Sequence, residues 1–198
     1  MDKQLATAIH ESSHAVLAFL LGVAQMHVAI TGEETGETVP ECALCPTCRE
    51  YYWHHDPATD AHAKAIQDDY RKDAAVAMAG EVGEELHTGV ATVLAENETN
   101  DDRWKVRSRA SAVHYWSSRQ QCYEFNEWQK MGACPPCDTF IANLGSALRA
   151  ILDEANVRAA TLELAGQLLI DRRIEWDKVI VVLEKHGLSS GPIFAKLP

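Results

Sequence analysis

The sequence predicts a mainly α-helical domain, with one small β-hairpin near residues 26–39. Two observations carry this. Apolar residues recur at three- and four-residue spacings over four long stretches, whereas the single β-rich run, Met26–Thr31, is short. Clusters of Gly, Pro and Cys separate these stretches and contain no internal repeat. With 198 residues, 46% hydrophobic and 24% charged, the chain can bury a real core, and residues 1–198 are read as one domain.

The elements follow in order. Asp2 to Leu21 reads as a helix that stops at Gly22. Met26–Thr31 is a strand, residues 32–36 supply turn chemistry, and Glu37-Thr38-Val39 pairs back as a hairpin. A loop at 40–57 holds Pro40, Cys42, Cys45, Pro46, Cys48 and Pro57. Helical spacing returns from Thr59 to Leu86 through Ile66, Tyr70, Ala74, Ala77, Met78 and Val82, with Gly89 as the stop. A further helix starts at Asn100 or Asp101 and runs to Trp128, before a Cys-bearing break at 130–137. The stripe of Leu144, Leu148, Ile151, Leu152, Ala155, Ala159 and Leu162 predicts one long helix from Asp138 to Ile170. A short last helix covers Glu175–Lys185.

Charge narrows the partners. A formal net charge of −11 argues against nucleic acid or an anionic membrane surface. The one basic cluster, Arg103 to Arg109, falls on a helix that spreads its charges over several faces. The apolar run Ala15–Ala24 is too short to span a bilayer, and Asp2 stands where a signal peptide carries positive charge. A cytoplasmic protein is expected.

The chemistry begins with His10-Glu11-Ser12-Ser13-His14. Two histidines four apart lie on one helical face, one turn apart, so both imidazoles can reach one metal ion. Glu11 is rotated by about 100° from His10, so it can flank that ion without ligating it. Two neutral nitrogen ligands with a carboxylate beside them form the pattern of a zinc hydrolase. A catalytic zinc takes a third protein ligand. The candidates are Glu81, Glu84, Glu85, His87, Asp101 and Asp102.

Four segments in order resemble the peptidase domain of the FtsH-type AAA zinc metalloproteases. Ala8–Ala15 resembles that family's zinc motif. Ala79-Gly80-Glu81-Val82-Gly83-Glu84-Glu85-Leu86 is similar to its A-G-R-x-A-E-E-L helix, Thr99-Asn100-Asp101 to its S/T-N-D, and Leu148–Ala159 to its long late helix. The resemblance implies that Asp101 is the third zinc ligand, with Asp102 its rival if the register slips by one. Position 13 is Ser where the family has Gly, and position 81 is Glu where it has Arg. The family's ATPase module normally precedes the zinc motif. Nine residues do so here, and no Gly-x-x-x-x-Gly-Lys-Ser/Thr phosphate loop occurs in the chain. The expectation is a peptidase domain alone. ATP dependence would need a separate AAA ATPase, and the relatives' rings make a homo-oligomer plausible.

The cysteines have no counterpart in that pattern. Cys42-x-x-Cys45 and Cys134-x-x-Cys137 suit a second, structural zinc if the fold joins their loops. A redox pair at Cys134 and Cys137, or plain reduced thiols, are the alternatives. Two functions are therefore expected to compete. One is a metalloendopeptidase with zinc on His10, His14 and Asp101, Glu11 as base, and unfolded polypeptides or peptides as substrate. The other is a non-catalytic, zinc-stabilised FtsH-like interaction module.

Overall fold

A computed structural model describes residues 3–32, 35–40, 60–89, 101–118, 134–191 and 193–198. Helix α1 (Lys3–Leu20) is the centre of the fold, and every residue from Glu11 to Leu21 is buried. It ends as its sequence dictates. Gly22 adopts φ 70°, and the amides of Gly22 and Val23 return to the carbonyls of Phe19 and Ala18 at 2.9 and 2.8 Å. This closes the helix with a left-handed glycine and satisfies its last carbonyls.

Strand β1 (Gln25–Ile30) leaves that turn and pairs antiparallel with β2 (Gly36–Pro40), as the hairpin reading expects. Helices α2 (Asp60–Thr88) and α3 (Asp101–Ser118) follow. Among the described residues, α2 packs on α1, and α3 packs on α2. The expected continuation of α3 to Trp128 lies outside the described residues.

One expectation needs correction. The long helix read from Asp138 to Ile170 is two helices, α4 (Pro135–Leu152) and α5 (Ala155–Asp171). The chain turns at Asp153 and Glu154, with Glu154 extended at ψ 133°. Asn156 Oδ1 accepts the Val157 amide at 3.1 Å. Asp and Asn favour such local bonds over helix interiors. The two halves also serve different neighbours, α4 packing on α2 and α3, and α5 on α1. The apolar stripe is real on each half, so periodicity alone joined them.

After α5 the chain reverses at Arg172, which has φ 62°, into β3 (Arg173–Glu175) and then α6 (Trp176–Lys185). β3 pairs antiparallel with β1, so the hairpin is part of a three-stranded sheet of order β2-β1-β3. Three residues are too few to show period-two alternation. The core joins Leu17 and Leu21 of α1 and its following turn to Val28, Leu148, Leu164, Leu168 and Leu183. Each such leucine contributes about 1.5–3 kcal/mol by leaving water. No described helix is long and apolar enough to cross a membrane.

Candidate metal centre

His10 and His14 sit on the face of α1 that meets α2 and α3. Their rings are edge to face, with centroids 4.7 Å apart. His10 Nε2 and His14 Nε2 each lie 3.2 Å from the same atom, Asp102 Oδ2. Two ligand atoms on one tetrahedral zinc, at 2.0–2.1 Å from it, stand about 3.3 Å apart. The spacing of each imidazole from Asp102 therefore fits one shared ion. These three residues are the one group of metal-ligating side chains of that size among the described residues.

The surroundings orient the ligands. His14 Nδ1 lies 2.6 Å from the Val76 carbonyl oxygen, which can only accept. Nδ1 therefore carries the proton, and Nε2 turns its lone pair toward Asp102. Glu84 Oε2 stands 3.5 Å from His10 Nδ1 and does the corresponding work there. Gly80 makes the approach of α2 possible, because a Cβ at that position would overlap both Nε2 atoms.

The local field favours positive charge. Burial lowers the His10 pKa, but bonds to Asp102 and Glu84 and the charge of Glu11 overcome it and raise it to about 10. Burial pushes Asp102 up, but its bonds to the two histidines, and then the charges of His14 and Lys105, hold it well below the usual carboxylate range. Carboxylates that stabilise a proton on an imidazole nitrogen also favour a divalent cation there.

Glu11 is buried beside the histidines and is absent from the ligand cluster. Thr38 Oγ1, on β2, lies 2.9 Å from Glu11 Oε2 and 3.2 Å from its carbonyl oxygen. Gly36 lets β2 pass this close, since a Cβ there would overlap the Glu11 side chain. The hairpin thus lies directly against the carboxylate. Thr38, Val76, Gly36 and Gly80 were not singled out from sequence. Small residues in the second segment (Ala79, Gly80, Gly83) were the available signal for a close helix–helix approach.

The remaining candidates for the third ligand have other partners. Glu81 Oε1 accepts from Arg103 Nε at 2.8 Å. Glu85 pairs with Arg149 at 2.7 Å, and His87 Nδ1 donates to the Gly83 carbonyl at 2.9 Å. Asp102 is the aspartate brought to the histidines. Asp101 is the first residue of α3, and its side chain lies outside the described residues. Helical phase explains why Asp102 faces inward. Val106, Ala110 and Val113 are buried, and Asp102 lies one turn before Val106 on the same stripe. That stripe was present in the sequence and points to Asp102.

A cavity of about 350 Å³ opens beside Asp102, floored by Met78, Val106, Ile141 and Ala142. Cys134 and Cys137 are buried with Ala110 of α3, against Phe140 and Ile141, with their sulfurs 2.8 Å apart. Cys42 and Cys45 lie outside the described residues. No protein-family model matches the chain, and no curated protein matches its sequence.

Proposed function

We propose that the chain is a zinc-dependent metalloendopeptidase acting on extended or unfolded polypeptides, an FtsH-like peptidase domain as its four motifs suggest. The observation that carries the reading is the convergence of His10, His14 and Asp102 at zinc-ligand spacing, with Glu11 buried alongside. Asp102 takes the role that the family resemblance gives to Asp101.

Zinc held by these residues supplies a Lewis acid and lowers the pKa of a water to about 7. The chain's own groups do the rest. Glu11 accepts the proton of the attacking water and returns it to the leaving amine. Thr38 holds Glu11 Oε2 in place, leaving Oε1 for proton transfer. β2 is an edge strand among the described residues, with β1 its partner. An extended substrate can add its backbone to that edge, beside Glu11. The cavity next to Asp102 offers an apolar floor for a substrate side chain.

A paired change supports the resemblance. Position 13 is Ser in place of the family's Gly, and position 83 is Gly where its pattern has Ala. These two residues face each other, and a Cβ at Gly83 would overlap Ser13. The larger residue on one helix is matched by the smaller on the other.

The test is zinc content together with cleavage of unfolded casein by purified protein, before and after chelation and zinc return. Zinc-dependent cleavage is expected. Protein that holds zinc on His10, His14 and Asp102 yet cleaves neither casein nor peptides would replace this reading with the interaction module.

A further inference from the structure

We propose that His27 and Glu37 are positioning residues. Their contact across the β1–β2 hairpin fixes the register that sets Thr38, and not a second carboxylate, against Glu11. The inference rests on the reading of Glu11 as the base.

The ladder pairs Val28 with Thr38, Ala29 with Glu37 and Ile30 with Gly36. Successive residues of a strand face opposite sides. Gly36 and Thr38 face α1, since Thr38 bonds Glu11 and a Cβ at position 36 would overlap the Glu11 side chain. Glu37 and Val39 face the other way. On β1, Val28 and Ile30 belong to the core, and His27 shares the far face with Glu37.

Apolar patterning alone does not select this register. Gly36 and Thr38 bring little apolar surface to the α1 side, and Val39 is turned away from it. A slip of one residue would turn Val39 inward, and Glu37 with it. A glutamate would then meet the buried Glu11 carboxylate, and Thr38 would leave it. A strand whose apolar alternation is weak has a weakly specified register, so the far face has to choose.

His27 is placed to make that choice. The pairing is irregular between Gln25 and His27, and regular from His27 onward. The His27 ring is buried, and its Nε2 donates to Glu37 Oε1 at 3.1 Å. Its Nδ1 is buried with no hydrogen-bond partner among the described residues, so the bond to Glu37 orients the ring. Glu175, opposite His27 on β3, accepts instead from Arg173 Nε at 2.6 Å. In the slipped register Glu37 leaves this face, and both nitrogens of a buried imidazole lose their partners. A buried polar group left unpaired costs more than its hydrogen bond contributes when made. The pair therefore acts chiefly by penalising the wrong register.

The test uses the full chain and two readouts. By NMR, wild type should show contacts between the backbone protons of Val28 and Thr38, and from Thr38 to Glu11. Glu37→Ala should lose them, and Glu37→Gln should keep them, because the amide oxygen accepts the same bond. Casein hydrolysis per bound zinc should fall about 10–100-fold in Glu37→Ala, the worth of one hydrogen bond to a charged group, and return in Glu37→Gln. His27→Ala should match Glu37→Ala, and the double variant should be no worse than either. If His27→Ala does not fold, Glu37→Ala, altered at a half-exposed side chain, decides. Contacts and rate unchanged in Glu37→Ala, even with a lower melting temperature, would overturn the proposal and leave the pair a purely structural role. If wild type cleaves nothing, the peptidase reading falls, and the NMR contacts still decide the register.

Discussion

Gly83→Ala probes the packing that brings α2 to the histidines. Ser13 is fully buried on α1, and its Oγ donates to the Ile9 carbonyl at 2.7 Å, so the hydroxyl is held in place. A Cβ at position 83 would overlap that hydroxyl and lie 2.6 Å from Ser13 Cβ. Two opposed effects follow. Alanine is better than glycine inside a helix by about 1 kcal/mol. Forcing a methyl group into a packed interface costs about 1–3 kcal/mol. Gly83→Ala alone should therefore destabilise by up to about 2 kcal/mol, the difference between those terms.

In a Ser13→Gly background the overlap disappears, and Gly83→Ala should stabilise by about 1 kcal/mol. The coupling between the two positions is then the overpacking term, about 1–3 kcal/mol. Urea denaturation of the four proteins at one saturating zinc concentration measures it, since bound metal adds to apparent stability. Effects that add to within about 0.5 kcal/mol would refute the packing argument. Chelator competition on the same proteins reads the functional side. If α2 relieves the overlap by moving away, Val76 and Gly80 move with it. Zinc should then bind more weakly in Gly83→Ala and recover in the double variant.

Four further outcomes are expected. Glu11→Gln should keep its zinc and lose about 10²–10⁴-fold in casein hydrolysis, as measured by metal analysis and initial rates, because the base is not a ligand. Asp102→Ala should lose the active-site zinc while Asp101→Ala keeps it, and the reverse pattern of metal content would restore the family register. Thr38→Val should lower the cleavage rate, because the Thr38 hydroxyl holds Glu11 Oε2 in place. Thr38→Ser should restore it, and an unchanged rate in Thr38→Val would remove Thr38 from the mechanism. Finally, the 198-residue chain should cleave a permanently unfolded variant of a stable domain and spare its folded form, with or without ATP. Strand addition needs backbone groups that a folded substrate has already paired, and equal cleavage of both forms would contradict it.

Much of the fold was legible because local and tertiary preferences agree. α1 carries its His10–His14 motif and its Gly22 stop in plain view, and the hairpin shows β-rich residues around a turn. The division at Asp153 was hidden because an apolar stripe runs through it, and what divides the helix is packing on two different neighbours. β3 was hidden because three residues carry no period. At the site, the histidine spacing was sufficient for His10 and His14. The aspartate was less so, since adjacent aspartates satisfy the same motif and only the buried stripe of Val106, Ala110 and Val113 marks the inward phase of Asp102. Thr38 was invisible for another reason. Its contact with Glu11 spans 27 positions and depends on where β2 crosses α1.

The burial of the motif is the physical ground for proposing a metal here. Glu11, Ser12, Ser13 and His14 are all buried, in the middle of the helix that forms the core. Burying ionisable groups is unfavourable unless they are paired. Ser13 is satisfied by Ile9, Glu11 by Thr38, and His14 Nδ1 by Val76. Ser12 Oγ has no hydrogen-bond partner among the described residues, and the two Nε2 atoms are both aimed at one carboxylate oxygen. Because His14 Nδ1 donates to the Val76 carbonyl, its Nε2 can donate to that oxygen only as an imidazolium. A divalent cation held by the three residues would neutralise the carboxylate and take both nitrogen lone pairs at once. This is the ground for proposing a metal at the cluster, and the helix that centres the fold is the one that such a metal would stabilise.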